Sequence, residues 1–272
     1  MKLQIVPARQ GALWVRRGFA VFFKQPMAFA GLFAAFLFAV FLLLLVPLVG
    51  AVAMLALLPL ASLGFMLGTR IALEGRFPTP SAFITPLRAS KGQRIALVKL
   101  GLLYAAATFA IMWISDVIDG GALDALMETM SAGNPTPDAV AEKTLDPQLF
   151  AGLIARFGLA GLLSIPFWHA PALVLWGDQS WAKSLFFSTV ACWRNKGAFA
   201  VYTLVWMGVI MLFALATNLI LAMVGQAELI KVAAVPASLI LSTIFYASLY
   251  FTFADCFQAD APAALPAPVP VA

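Results

Sequence analysis

Apolar residues run almost unbroken for about twenty positions at six places along the chain, near 27–46, 49–73, 95–115, 150–176, 198–224 and 232–257. A helix rising 1.5 Å per residue needs about twenty residues to cross about 30 Å of hydrocarbon. The pattern therefore predicts an all-α polytopic membrane protein, a single domain over 1–257 with six transmembrane helices. The connections between the runs are short except at 116–149, which is acidic and contains Leu123, Leu126, Met127 and Met130 at helical spacing. That segment is expected to form an extracytoplasmic loop with a short amphipathic helix, broken by Asn134, Pro135, Thr136 and Pro137. Asp146 followed by Pro147 predicts the N-cap and first turn of the fourth span. The Ala- and Pro-rich tail, 258–272, cannot build a core and is expected to be extended and disordered.

Amphipathic stretches precede some of the apolar runs. Before the first, Arg9, Arg16, Arg17 and Lys24 fall along one helical stripe, with Trp14, Val15, Gly18, Phe19 and Phe22 opposite. That arrangement predicts an interfacial amphipathic helix. Before the fifth, Lys183, Ser184 and Arg194 lie mostly opposite Trp181, Leu185, Phe186 and Trp193. A base then meets a helix breaker: Lys24 before Pro26, Lys91 before Gly92, Lys196 before Gly197. The expected organisation is three helical hairpins, the first, third and fifth spans each entered from a surface helix, although Pro78, Pro80 and Pro86 interrupt the third such helix. The fourth run is long enough to demand a tilt or a kink, and Pro166 and Pro171 predict a kink.

Composition excludes a soluble domain. Only 11% of residues are charged, against about 25% in soluble proteins, and 63% are hydrophobic, with a mean hydropathy of +0.97. The net charge of +5 would suggest nucleic acid in a soluble chain, but here the bases flank apolar runs. Anionic lipid headgroups are the expected partners and nucleic acid is not. Fourteen of the seventeen bases lie on alternate connections, including Arg16, Arg17 and Lys24, then Arg88, Lys91 and Arg94, then Lys183, Arg194 and Lys196. Because Lys and Arg in short loops stay cytoplasmic, both termini are expected inside a bacterial cytoplasmic membrane. The five bases before the first run argue for a retained span rather than a cleaved signal peptide. Cys192 and Cys256 fall on the expected reducing side, so no disulfide framework is implied.

Little in the chain suggests chemistry. No phosphate-binding Gly-rich loop, nucleophile elbow or His-Glu-x-x-His run occurs. With one histidine and no Cys or carboxylate at ligand spacing, neither a metal site nor a cofactor is expected, and the chain is read as a non-enzyme. His169 lies between the two prolines, where it either carries protons or hydrogen-bonds a carbonyl freed by the kink. The structural role is the expectation. Asn218, Ser242 and Tyr246 complete a candidate polar pathway with His169, against ordinary hydrogen bonding between helices. Asp116 and Arg156 form a candidate ion pair near the outer ends of adjacent spans. Gly64 and Gly68 form a small-xxx-small pair expected to let helices approach closely.

The stretch Gly177, Asp178, Gln179, Ser180, Trp181, Ala182, Lys183, Ser184, followed by Arg194, Asn195, Lys196 and Gly197, carries a resemblance. It resembles an uncharacterised proteobacterial family of six-span integral membrane proteins and, more loosely, the membrane domain joined to some glycerophosphoryl diester phosphodiesterases. The patterning covers about twenty residues, and the six-span layout extends the likeness over most of the chain. No catalytic residues carry over, because the phosphodiesterase barrel has no counterpart in this chain. The resemblance implies a scaffold. The expected function is therefore a non-catalytic membrane scaffold or assembly protein that contacts lipid, a membrane partner or a second copy, with a small-solute or lipid transporter as the alternative.

Overall fold

In the computed structural model, which describes residues 1–132, 136–223 and 229–258, each long apolar run is helical, the fourth in two segments. The chain begins with β1 (Lys2–Leu3) and α1 (Gln10–Lys24), then forms α2 (Pro26–Leu44) and α3 (Val49–Leu73). A short α4 (Ser81–Ile84) and a 3-10 turn at Thr85–Arg88 lead into α5 (Lys91–Asp119). The acidic connection folds as α6 (Ala122–Ser131) and α7 (Pro137–Thr144), after which the fourth run forms α8 (Pro147–Phe167) and α9 (Ala170–Gly177). The chain continues through α10 (Trp181–Arg194), α11 (Lys196–Met223), α12 (Leu229–Cys256) and β2 (Phe257–Gln258). Six of these segments, with α8 and α9 taken together, are long and apolar enough to cross a membrane. The protein is an all-α polytopic membrane protein.

Side-chain capping marks the starts of α5, α7 and α8. Asp146 caps α8 by accepting from the Gln148 amide at 2.8 Å, with Pro147 in the first turn. Ser90 and Gln93 form a reciprocal capping box at the start of α5. The second helix of the acidic connection, α7, has no run of apolar residues at helical spacing. Its signal is the cap itself, Thr136 before Pro137, with Thr136 Oγ1 accepting from the Ala139 amide. The breaks entering α2, α5 and α11 fall at Gln25, Ser90 and Asn195, a residue earlier than the basic-plus-breaker pattern placed the last two. Asn134, Pro135, the predicted end of the fifth span at Val224 and the tail from residue 259 lie outside the described residues.

The short helices that precede α2, α5 and α11 share one arrangement. The α4 segment packs on α3 of the hairpin before it, and α10 packs on α8 and α9 of the hairpin before it. The first surface helix closes the ring, because α1 packs on α11 and α12, the last hairpin. The predicted interfacial helix α1 thus lays its apolar face on protein. Trp14, Val15, Gly18 and Phe22 are buried, with Trp14 against Phe199 and Tyr202, while Arg9, Arg16 and Lys24 remain exposed. The packing of α1 reaches both helices, with Gly11 against α11 and Gly18 against α12.

The close backbone approaches are not where the sequence placed them. At Gly64 an added Cβ would run into the Phe83 ring, and at Gly68 it would lie 2.6 Å from Leu32 Cδ1. These glycines accept side chains instead of a helix backbone. Backbone meets backbone at Gly11, which faces the Ala198 carbonyl of α11, and at Gly101, which faces the Ala56 carbonyl of α3.

Candidate functional site

Three places gather polar or receptive groups: the end where β1 meets β2, the kink in the fourth span, and an apolar groove on the outside of the first hairpin. At the first, β1 pairs antiparallel with β2, Lys2 opposite Gln258 and Leu3 opposite Phe257. The next residues are held by Asn195, whose Oδ1 accepts from the Val6 amide at 2.8 Å while Nδ2 donates to the Gln4 carbonyl at 3.0 Å. Asp255 of α12 accepts from Gln10 Nε2 at 2.5 Å, Trp14 Nε1 at 2.8 Å and Arg17 Nη1 at 3.0 Å. Arg17, predicted as a headgroup contact, is thus engaged by protein. Neither Asn195 nor Asp255 was singled out as a site by spacing. Asn195 carried one usable signal, a polar residue at the break between two helices.

The kink is assembled around Ser188 of α10. Pro166 and Pro171 cannot donate backbone hydrogen bonds, and the helix breaks at Trp168 and His169. Ser188 Oγ donates to the Ile165 carbonyl at 2.9 Å and accepts from the His169 amide at 3.0 Å. The expectation that His169 would hydrogen-bond a freed carbonyl is corrected: Ser188 does so. Among the described residues neither His169 ring nitrogen has a hydrogen-bond partner. The ring is fully buried and meets the rings of Phe199, Phe253 and Phe257 at centroid distances of 5.9, 5.8 and 5.4 Å. Cys192, also on α10, is buried against the same turn, and burial pushes its thiol up to about 12, which leaves it unreactive at neutral pH.

The candidate polar pathway is not continuous. Asn218 is exposed on the outer side of α11 and donates to its own helix at the Ala214 carbonyl, 2.8 Å away. Ser242 and Tyr246 do line one cavity together, with Trp206, but His169 lies elsewhere, in its aromatic enclosure. Tyr246 instead stacks on Phe65 at 4.9 Å. Helix-to-helix hydrogen bonding runs through Ser248 to Tyr202 at 2.6 Å, Thr69 to the Ala247 carbonyl at 3.2 Å and Trp168 to Thr252 at 3.1 Å. At the opposite end Arg156 Nη2 lies 2.5 Å from Asp116 and 3.9 Å from Asp119, joining α8 to α5. Among the described residues no three His, Cys, Asp or Glu side chains gather as a metal site would require.

The groove lies between α2 and α3 and is closed below by α4 and the 3-10 turn. It encloses about 290 Å³, and its whole lining is apolar, including Phe36, Ala39, Leu43, Leu57, Phe83 and Leu87. Phe83 is held there by Gly64 and by the rings of Phe65 and Phe36 at 5.2 and 6.5 Å. Beyond Leu87 the chain turns basic, with Arg88, Lys91 and Arg94 all exposed.

No family model matches this chain, and no solved structure matches it. A probable inner membrane protein of Burkholderia thailandensis is 35% identical over 266 residues, covering 97% of each chain. The match carries no link to the membrane domains of glycerophosphoryl diester phosphodiesterases. Since it extends over all six spans and the helices between them, the chain belongs to the family of that Burkholderia protein, as a multi-pass protein of the inner membrane.

Proposed function

We propose that this protein is a non-catalytic scaffold or assembly component of the inner membrane, oriented with both termini and its basic surface helices on the cytoplasmic side. The observation that carries the reading is a groove lined by apolar side chains on a bundle in which Tyr202, Trp168 and Ser188 hydrogen-bond across to neighbouring helices. Transport requires polar groups lining a common path near the midplane, whereas His169 sits against aromatic rings and the exposed Asn218 bonds back to its own helix, which supports the scaffold reading. A scaffold needs none of these. It needs a rigid body and a receptive surface.

The alternative of a small-solute transporter draws on a cavity of about 190 Å³ that brings Ser62, Tyr104, Ser164 and Tyr246 to one place. Affinity purification in native lipid particles followed by mass spectrometry separates the two. A reproducible protein partner is the expected result. A co-purified solute with no protein partner would favour transport, and recovery of neither would overturn the assembly role.

A further inference from the structure

We propose that the groove between α2 and α3 seats one acyl chain of an anionic phospholipid whose phosphate faces Arg88 and the bases that follow it. The groove offers a cavity of about 290 Å³ between two spans, and every side chain that lines it is apolar, as a hydrocarbon chain requires. The apolar side chains of the lining offer that chain contact on several sides.

Charge favours an anionic headgroup. Arg88 directly follows Leu87, which lines the groove, and Lys91 and Arg94 lie on the next turn of chain. The one acid between α3 and α5 is already taken. Glu74 pairs with Arg70 at 3.3 Å and with Arg76, and the Arg76 guanidinium holds its carboxyl below the usual range. Among the described residues Arg88, Lys91 and Arg94 have no ion-pair partner. Phe77, Ile84 and Leu87 are exposed beside them, giving this connection an apolar flank as well as a basic one. Bases beside an apolar surface in this way attract anionic headgroups with about 1 kcal/mol per residue.

This assignment rests on the scaffold reading for the groove's being an occupied surface, yet the two fail separately. The full-length protein is incorporated into nanodiscs of equimolar phosphatidylglycerol and phosphatidylcholine, and retained lipid is counted by native mass spectrometry. The wild type is expected to keep one phosphatidylglycerol. Ala39→Phe, which fills the groove, should lose it, and Arg88→Gln, a surface change that leaves folding intact, should lower the preference for phosphatidylglycerol about fivefold. Retention by A39F equal to wild type, or an unchanged preference in R88Q, overturns the assignment. So does capture of a protein partner that A39F abolishes while no lipid is found in the wild type. Lipid retained with no protein partner supports the groove assignment and counts against the assembly role.

Discussion

Asp255 accepts hydrogen bonds from three side chains of α1, two of them neutral donors, and so fixes a helix nearly 250 residues away in sequence. The Arg17 side chain is 45% exposed, so solvent screens its share to less than about 1 kcal/mol. The bonds from Gln10 and Trp14 are better sheltered, and Asp255→Ala is expected to cost about 1–3 kcal/mol in all. A lowered midpoint of thermal unfolding in detergent measures it, and an unchanged midpoint would refute the anchoring role. Asp255 stands near the end of an apolar run like any other interfacial carboxylate, and its partners are named only by the fold. The Asp116 and Arg156 pairing was easier to read, since each is a charge near the same end of adjacent spans. His169 was conspicuous in sequence for its rarity, but the hydroxyl that mends the kink belongs to Ser188, on a helix whose approach no local pattern announces.

At the scale of elements, the sequence marked the helices well because crossing hydrocarbon requires a long apolar run and because caps act over three or four residues. Asp146 with Pro147 and the box at Ser90 and Gln93 are both local and both legible. What each helix rests on was not. The apolar face of α1 is equally suited to lipid and to protein by composition, and it is Gly11 and Gly18 that admit α11 and α12. Gly11→Leu would drive a side chain into the Ala198 carbonyl, which cannot yield, and is expected to destabilise the bundle by about 1–3 kcal/mol while freeing α1. Faster proteolysis within residues 1–24 of G11L than of wild type checks this. Equal rates would mean that α1 is not held by that contact.

For the molecule as a whole, the first two hairpins are each leaned on by the short helix that follows in sequence, and α1 completes the circuit by leaning on the third. Pairing of β1 with β2 brings both ends of the described chain to one side. On the proposed orientation, in which the charge alternation sets the sidedness, that side faces the cytoplasm. An alkaline phosphatase fusion at Asp138 is accordingly expected to be active and a fluorescent protein fused after Ala272 to fluoresce. The reverse pattern would invert the orientation.

Span number, the kink and the sidedness of charge were determined by the sequence alone, because each depends on free energies that act over a few residues: transfer to hydrocarbon, backbone satisfaction and the pull of one membrane face on basic groups. The ring of surface helices, the Asp255 and Asn195 anchors and the apolar groove were decided only by tertiary structure. They depend on which apolar surface meets which. In a chain that is 63% hydrophobic nearly every surface is a candidate, so shape, set by a few glycines and aromatic rings, makes the choice.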